Sequence, residues 1–243
     1  MTYLSVIIPA HNEAGRIQAT LEQIRGYLYY RVTKSNVKLG GAEIVVVENG
    51  STDNTAQLVR EYQAQENWPR IKMIQLPMGD KGKAVKAGML AAQGQYRYMA
   101  DADLSTPIET VGEFLRTAGK YQADIVIGNR TDPDNQTIAR SLMSRGFALA
   151  ASIALEAPPY NDTQAGFKLF TAEAAEQLFS RLRVFGWAFD VEILLLAQRL
   201  RFRIVEIPIP WRREPGSHLK LTDPIKMLID LARIRLAHHE ITL

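Results

Sequence analysis

The feature that most constrains the fold is an alternation of short apolar runs with helical patterns over residues 3–128. The runs are rich in β-branched residues, and charged or turn-forming residues end them, as in buried strands. Strands at this spacing, with helices between them, predict βαβ units and a mainly parallel α/β sheet with helices on both faces. The predicted strands are Tyr3–Ile8, Glu43–Glu48, Ile71–Leu76, Tyr96–Ala100 and Asp124–Gly128, and the predicted helices are Thr55–Gln65, Gly82–Gln93 and Ile108–Tyr121.

The second half of the chain is less regular, but no linker divides it. Its last predicted helix carries apolar residues at the spacing of one helical face, with basic residues beside them. We therefore expect a single domain over residues 1–221, followed by an amphipathic basic helix over residues 222–243. The elements predicted in this half of the chain are the helices Thr137–Leu155, Ala172–Leu182, Phe189–Leu200 and Pro224–His239 and the strand Phe202–Ile209.

Composition excludes several kinds of chemistry. The chain has no cysteine, which rules out disulfides, thiolate zinc sites, iron–sulfur clusters and cysteine nucleophiles. Its longest apolar run, Phe147–Leu155, spans nine residues, whereas a membrane-spanning helix needs about 20. The first ten residues carry no basic residue and read as the start of a strand, so we expect no signal peptide and a cytoplasmic location.

Positive charge is concentrated near the C-terminus. Residues 199–239 contain nine basic and four acidic side chains, although the net charge of the whole chain is only +3. This asymmetry indicates that the segment meets an anion, such as a phosphate, a nucleic acid or an acidic membrane surface. A solvated basic face is the alternative, and charge alone does not decide between them.

The sharpest local signal is Asp101-Ala102-Asp103, which ends the fourth predicted strand. Two carboxylates at a strand end can share one cation, and ligands with oxygen donors only suit Mg²⁺ or Mn²⁺. The phosphates of a substrate would complete such a site. The alternative is that both aspartates only cap the turn before Ser105-Thr106-Pro107.

Eight motifs follow one another along nearly the whole chain. They are SVIIPAHNE (5–13), EIVVVENGSTDNT (43–55), GDKGKAVKAGM (79–89), YMADADLSTP (98–107), DIVIGNR (124–130), NDTQAGFKLF (161–170), WAFDVEIL (187–194) and EIPIPWRREPGSHLKL (206–221). In this order they resemble the family 2 glycosyltransferases, which have the GT-A nucleotide-diphospho-sugar transferase fold. Within that family the chain is most similar to the dolichyl- or polyprenyl-phosphate hexose synthases of the glucosyl type.

The resemblance implies a nucleotide-sugar site. Glu13 matches a position that accepts hydrogen bonds from the ribose hydroxyls, and Glu48 matches one that accepts a hydrogen bond from the base. Lys81 matches the lysine that lies beside the diphosphate. Asp103 matches a metal ligand, and Asp101 the carboxylate that contacts the sugar or ribose and supports the metal. Without the resemblance, Glu13 is a carboxylate at a helix N-terminus and Lys81 a solvated loop residue. The implied donor site comprises Pro9, His11, Glu13, Glu48, Lys81, Asp101, Ala102, Arg213, Ser217 and Lys220, with His218 as an alternative to Lys220.

The same resemblance implies an acceptor site and a third catalytic carboxylate. Asp190 stands where many inverting relatives carry a base. With a phosphate as the acceptor, we expect it to position the sugar or the acceptor instead. The alternative is a carboxylate that only stabilises a helix N-terminus. The residues implied to grip the acceptor phosphate or to line its side of the site are Arg130, Arg140, Ser144, Gln164 and Lys168, and for each arginine an ordinary surface salt bridge is the alternative.

The expected reaction is an inverting, Mg²⁺- or Mn²⁺-dependent transfer of glucose from UDP-glucose to a polyprenyl or dolichyl phosphate. GDP-mannose is the rival donor. A soluble hydroxyl acceptor, with Asp190 as the base, is the rival acceptor, and a non-catalytic nucleotide-sugar-binding module is the rival from a different class. The expected partners are the donor, the lipid and the cytoplasmic face of a membrane, but no nucleic acid. The oligomeric state is left open.

Overall fold

The computed structural model describes residues 2–34, 41–65, 68–77, 80–131, 160, 162–163, 165–186, 188–212 and 223–238. These residues form seven strands and seven α-helices. The strands are β1 (Leu4–Ala10), β2 (Ala42–Asn49), β3 (Arg70–Leu76), β4 (Tyr96–Met99), β5 (Ile125–Thr131), β6 (Lys168–Thr171) and β7 (Ile204–Pro210). The helices are α1 (Ile17–Lys34), α2 (Thr55–Gln65), α3 (Lys81–Ala91), α4 (Val111–Tyr121), α5 (Ala172–Arg181), α6 (Phe189–Arg199) and α7 (Asp223–Ala237).

All seven strands belong to one sheet, in the order β3-β2-β1-β4-β6-β5-β7. The pairs β1–β2, β1–β4, β2–β3 and β5–β7 are parallel, whereas β6 runs antiparallel to both β4 and β5. The sheet is therefore mainly parallel, and the predicted single α/β domain with the GT-A type of architecture is confirmed. The insertion of β6 is a finding that the sequence analysis did not predict.

Side-chain alternation along the strands supplies a core on each face of the sheet. Val6 and Ile8 of β1 lie in one buried cluster with residues of α1 and α4, whereas Ile7 lies in a second cluster with residues of α3, α5 and α6. Successive residues of a strand point to opposite faces. Because both faces are covered by helices, the central strands read as continuous apolar runs.

Helix α1 was missing from the sequence analysis, although its pattern is regular. Four of its apolar side chains, those of Ile17, Leu21, Ile24 and Leu28, are fully buried. They recur at helical spacing and pack against one face of the sheet. The remaining predicted helices within the described residues were confirmed to within two residues at each end, except that residues 108–110 form a 3₁₀ turn before α4. The predicted helix Thr137–Leu155 lies outside the described residues.

The second half of α7 packs against the body of the protein. Leu231 and Ile234 are buried in a third apolar cluster with residues of α6 and of the loop before it. On the same helix, Ile229 is 48% and Leu236 74% exposed, so part of the predicted apolar stripe faces solvent. Among the described residues, no helix is both long and apolar enough to cross a membrane.

Candidate active site

The carboxyl ends of three neighbouring parallel strands, β1, β2 and β4, lie at the same edge of the sheet. The loops that follow them carry His11–Glu13, Asn49–Asp53 and Asp101–Asp103. Ligands bind at this edge in open parallel α/β sheets. The topology thus brings together three of the polar segments that the sequence analysis singled out.

An ion pair joins two of the predicted donor-site residues. Lys81, the first residue of α3, places its Nζ 2.6 Å from Oδ1 of Asp101. Burial alone would raise the pKa of Asp101, but the adjacent Lys81 ammonium and more distant cations lower it below its usual value. The pKa of Lys81 is raised, because the charge of Asp101 outweighs the effect of burial. Both groups are therefore charged at neutral pH.

Gly166 lies directly against the Asp101 carboxylate. A Cβ atom at position 166 would stand 1.9 Å from Oδ2 of Asp101, far inside contact distance. Only glycine allows this close approach. The sequence analysis gave Gly166 no role, although this residue lies in the motif NDTQAGFKLF (161–170).

Asp103 is partly exposed and braces the turn that follows it. Its Oδ1 accepts a hydrogen bond from the backbone N–H of Ser105 at 2.9 Å, and the carbonyl of Ser105 accepts one from the N–H of Arg212 at 2.8 Å. Asp103 thus caps the turn, as the alternative interpretation had it, and its Oδ2 makes no hydrogen bond to the described residues.

The chemistry of these two carboxylates fits a divalent cation. Asp101 and Asp103 supply hard oxygen donors, as Mg²⁺ and Mn²⁺ require. Within the described part of the chain, no group of three or more His, Cys, Asp or Glu side chains could hold a metal ion by itself. A cation at Asp101 and Asp103 would therefore need further oxygen ligands, which a diphosphate can provide.

The loop after β1 is joined to the loop after β2 by hydrogen bonds. The N–H of Glu13 donates to the hydroxyl of Thr55 at 2.8 Å, and Oδ1 of Asp53 accepts from the N–H of Thr55 at 2.9 Å. Asp53 thus accepts a hydrogen bond from the first N–H group of α2, which has no partner within the helix. The Glu13 carboxylate forms an ion pair with Arg16 at 2.8 Å.

Asn12 locks the same two loops together from a strained backbone position. Its φ of 56° lies in the left-handed region, which asparagine tolerates better than most residues. Its side-chain oxygen accepts a hydrogen bond from the N–H of Thr52 at 2.8 Å, and its own N–H donates to Ser51 at 3.0 Å. The loop conformation is therefore fixed before any ligand binds.

Glu48 and His11 mainly brace these loops. Glu48 is buried, and its two carboxylate oxygens accept from the N–H of Ser51 at 2.5 Å and from the amide of Gln75 at 3.3 Å. His11 bonds through Nδ1 to the carbonyl of Asn49 at 2.9 Å. Neighbouring Pro9 is partly buried in β1. These positions shape the pocket edge, and their predicted contacts with the nucleotide stay predictions.

The main chain of Ala102 is also used within the protein. Its carbonyl accepts a hydrogen bond from the hydroxyl of Thr20 in α1 at 2.6 Å, and its side chain is buried. Helix α1 thus supports the turn that carries Asp101 and Asp103.

Arg130 forms a bidentate ion pair at the end of β5. Its Nε and Nη2 donate to the two oxygens of Asp162 at 2.6 and 2.8 Å, and its guanidinium lies 5.6 Å from the ring centroid of Trp211. Burial alone lowers the pKa of Arg130, but Asp162 reverses this shift and raises it. The arginine is thus held by Asp162 and by Trp211, and its charge contributes to the lowered pKa of Asp101.

Lys168 and Asp190 form an ion pair inside the protein. The Nζ of Lys168 lies 2.7 Å from Oδ1 of Asp190, and the two side chains are 0% and 7% exposed. The carbonyl of Ala165 accepts a second hydrogen bond from Lys168. Burial raises the pKa of Asp190, and Lys168 only partly offsets this effect. Lys168 is therefore buried and holds Asp190 in place, and its predicted position on the acceptor side of the site stays a prediction.

Several predicted site residues lie outside the described residues. They are Arg140, Ser144, Gln164, Arg213, Ser217 and Lys220, together with His218. Their roles stay predictions.

Comparisons with known proteins show which family this chain is similar to. The model of the family described as "Glycosyl transferase family 2" matches residues 5–179. A dolichyl-phosphate beta-glucosyltransferase of Trichomonas vaginalis is 38% identical over 96% of this chain and 72% of its own length. The enzymes of the same name from Dictyostelium discoideum and Saccharomyces cerevisiae are 36% and 35% identical, over 96% and 97% of this chain and 74% and 75% of their own lengths.

Solved structures support the fold. A glucosyl-3-phosphoglycerate synthase from Mycobacterium tuberculosis in complex with UDP superimposes with a TM-score of 0.68 at 18% identity, over 100% of this chain and 82% of the other. The same synthase in complex with Mn²⁺, UDP and glucosyl-3-phosphoglycerate gives a TM-score of 0.67 at 18% identity, over 100% of this chain and 81% of the other. The likeness at this identity concerns the fold.

Proposed function

Since this chain belongs to glycosyltransferase family 2, we propose that it transfers glucose from a nucleotide sugar, UDP-glucose, to the phosphate of dolichol or a related polyprenol. The observation that carries this proposal is the grouping of Lys81, Asp101 and Asp103 at the carboxyl edge of the sheet. The three relatives described above, which the match covers over 72–75% of their own lengths, are named dolichyl-phosphate beta-glucosyltransferases.

The donor side of the reaction needs stabilisation of a leaving nucleoside diphosphate. Lys81 supplies a fixed positive charge there, since Asp101 holds its ammonium in place. Asp101 and Asp103 are the residues that would hold Mg²⁺ or Mn²⁺, and such an ion neutralises developing charge on the diphosphate when bound. The loops braced by Asn12 and Asp53 keep the donor pocket in one conformation.

On the acceptor side, the buried position of Asp190 favours a phosphate over a hydroxyl. A hydroxyl acceptor needs a base within hydrogen-bond reach of its proton, whereas Asp190 is buried and bonded to Lys168. A phosphomonoester arrives largely ionised, because its second pKa is near 6. Its oxygen can attack the anomeric carbon from the face opposite the diphosphate, and Arg130 supplies positive charge for the incoming phosphate.

The proposal is tested by product formation from a panel of substrates. UDP-glucose and GDP-mannose are each combined with undecaprenyl phosphate, dolichyl phosphate or a soluble sugar acceptor, with and without Mn²⁺. We expect the fastest product formation with UDP-glucose and a polyprenyl phosphate. Faster reaction with GDP-mannose would show that the proposed donor is wrong, and faster reaction with the soluble sugar would show that the proposed acceptor is wrong. If no donor is transferred or hydrolysed, the protein is a nucleotide-sugar-binding module.

A first variant addresses the acceptor. Arg130→Gln is expected to raise the acceptor KM by about tenfold, while the donor KM changes by less than about twofold, because a charge-assisted contact to phosphate is lost. Steady-state kinetics with each substrate varied in turn measures this split. Arg70→Gln is the matched control, since Arg70 is exposed at the first position of β3, at the end of the sheet away from the site. Equal effects on both KM values would contradict the acceptor role.

We also propose that the protein meets its lipid substrate at a membrane surface through α7. The exposed side chains of this helix include Ile229 and Leu236 and the basic residues Arg233 and Arg235. Apolar and basic residues on one exposed helix face favour binding in the plane of an anionic membrane. The buried residues of the same helix, Leu231 and Ile234, anchor it to the enzyme.

A charge-reversal variant tests this membrane contact. The wild-type protein is expected to co-sediment with liposomes that contain anionic lipid at low salt, and Arg233→Glu/Arg235→Glu to lose most of this binding, since each basic residue contributes about 1 kcal/mol. Arg116→Glu/Lys120→Glu on exposed positions of α4 is the matched control. Removal of the whole helix is a poorer test, because it would uncover the side chains that Leu231 and Ile234 cover, namely those of Val184, Ala188, Val191 and Leu195. Equal binding by both double variants would show that α7 is not the contact.

A further inference from the structure

We propose that the end of α7 positions the donor lysine, Lys81, through a buried Glu192–His238 pair and the loop of residues 182–186. We call this set of contacts the C-terminal latch. The proposal rests on the proposed function in one respect, namely that Lys81 faces the donor diphosphate. Otherwise it is argued from contacts within the protein.

The first contact concerns the start of α3, where Lys81 is the first residue. The first N–H groups of a helix have no partner within the helix, and a side-chain cap often supplies one. Asp80 makes no such capping bond with its side chain. Instead, the N–H of Gly82 donates to the carbonyl of Phe185 at 3.1 Å. The position of Phe185 therefore determines where α3 begins and where Lys81 stands.

Gly82 shows how closely the loop and α3 approach each other. A Cβ atom at this position would lie 2.8 Å from the carbonyl oxygen of Phe185 and 2.9 Å from its Cα. Both are backbone atoms, which cannot move aside as a flexible side chain could. The loop and the first turn of α3 thus form a single packed unit.

The second contact holds the loop itself. Glu192 of α6 is fully buried, and its two oxygens accept from the N–H groups of Arg183 at 2.8 Å and Val184 at 2.7 Å. A buried carboxylate is costly unless it is well paired. These two bonds fix the backbone immediately before Phe185.

The third contact comes from the end of α7. The Nε2 of His238 lies 2.6 Å from Oε1 of Glu192, and both side chains are buried. The guanidinium of Arg183 donates to the carbonyl of Ala237 at 2.7 Å, and that of Arg199 donates to the carbonyl of His238. The last turn of α7 therefore holds the loop through side chains and main chain together.

The other end of the loop also meets α7. A Cβ atom on Gly186 would lie 2.5 Å from Oδ2 of Asp230, which is itself buried. The loop is thus enclosed by α7 at two points and by α3 at a third. A shift of α7 is transmitted to the Lys81 ammonium, which stands 2.6 Å from Asp101.

Two substitutions break the latch at different places. His238→Ala removes the partner of Glu192, whereas Gly82→Ala separates the loop from α3 and leaves the buried pair intact. For both we expect a donor KM about tenfold higher, with the acceptor KM unchanged, because a small displacement of a positioned group is costly. His238→Gln, whose amide can still donate to Glu192, is expected to recover most of the loss. Gly119→Ala is the matched control, since nothing lies within 4 Å of its added Cβ.

A second measurement does not depend on activity. Hydrogen exchange, followed by mass spectrometry on peptides that cover the first turn of α3, is expected to be faster in His238→Ala than in the wild type or in Gly119→Ala. Unchanged exchange there would overturn the latch, whatever the kinetics. So would kinetics of His238→Ala in which both KM values are unchanged and the apparent kcat falls only in proportion to the loss of folded protein.

The kinetics of Lys81→Met separates this proposal from the proposed function. If this variant keeps the donor KM of the wild type while exchange in His238→Ala is faster, the latch stands and the donor role of Lys81 fails. If Lys81→Met raises the donor KM and the two latch variants change neither donor KM nor exchange, the latch alone fails.

Discussion

Replacing Asp103 by asparagine is expected to lower the turnover of glycosyl transfer by about 100-fold or more, as does the loss of other groups that stabilise developing charge. The variant removes one of the two carboxylate charges that would hold a divalent cation against the diphosphate. The fold should persist, because asparagine can still accept the hydrogen bond that Asp103 accepts from the N–H of Ser105. Turnover is measured at saturating donor in Mg²⁺ or Mn²⁺ and again with EDTA.

A matched control exists at the opposite edge of the sheet. Asp124 also accepts a hydrogen bond from a backbone N–H, that of Arg203 at 2.8 Å. It precedes β5 and thus lies away from the carboxyl ends of the strands. Asp124→Asn is expected to keep turnover within about twofold of the wild type, as surface changes away from a site usually do. A fully active Asp103→Asn variant, or wild-type activity in EDTA equal to that in Mg²⁺, would refute the metal assignment.

The largest effect on stability is expected for Lys168→Met. This change leaves the buried carboxylate of Asp190 without its partner, and breaking a buried ion pair costs about 3–5 kcal/mol. The free energy of unfolding, measured by denaturant titration, should fall by that amount. The double variant Lys168→Met/Asp190→Asn should regain part of it, because replacement of both charges removes the uncompensated one.

An exposed ion pair provides the comparison. Lys83 and Asp80 are 3.9 Å apart with about half of each side chain exposed, and such pairs contribute less than about 1 kcal/mol. Lys83→Met should therefore leave the free energy of unfolding nearly unchanged. If Lys168→Met were equally harmless, Asp190 would have to be uncharged or reached by water, and the positioning role given to Lys168 would be wrong.

The sequence predicted the parts of the fold that depend on local pattern. The strands before His11 and before Asn49 followed from runs of β-branched residues, and the parallel arrangement puts their carboxyl ends and that of β4 at one edge of the sheet. These features need only the neighbouring residues and the general rules of α/β sheets.

Other features depend on contacts between distant parts of the chain. Strand β6 enters between β4 and β5 in the antiparallel direction, which no local pattern encodes. The pairing of Lys168 with Asp190 joins a strand to a helix 22 residues later, so the burial of this lysine could not be predicted from its neighbours in the sequence. Glu48 matched a base-binding position, but in the structure both of its oxygens brace the loop.

The antiparallel placement of β6 beside β5 has a consequence for how such chains can diversify. Adjacent antiparallel strands can be joined by a turn of about two residues, yet the connection from β5 to β6 spans residues 132–167. The pairing of β5 with β6 does not itself require that length. Arg140, Ser144 and Gln164, predicted to meet the acceptor, all fall within this connection. A lineage of such chains can therefore lengthen, shorten or exchange this connection, and with it the residues predicted to meet the acceptor, while the strand order of the sheet is inherited unaltered.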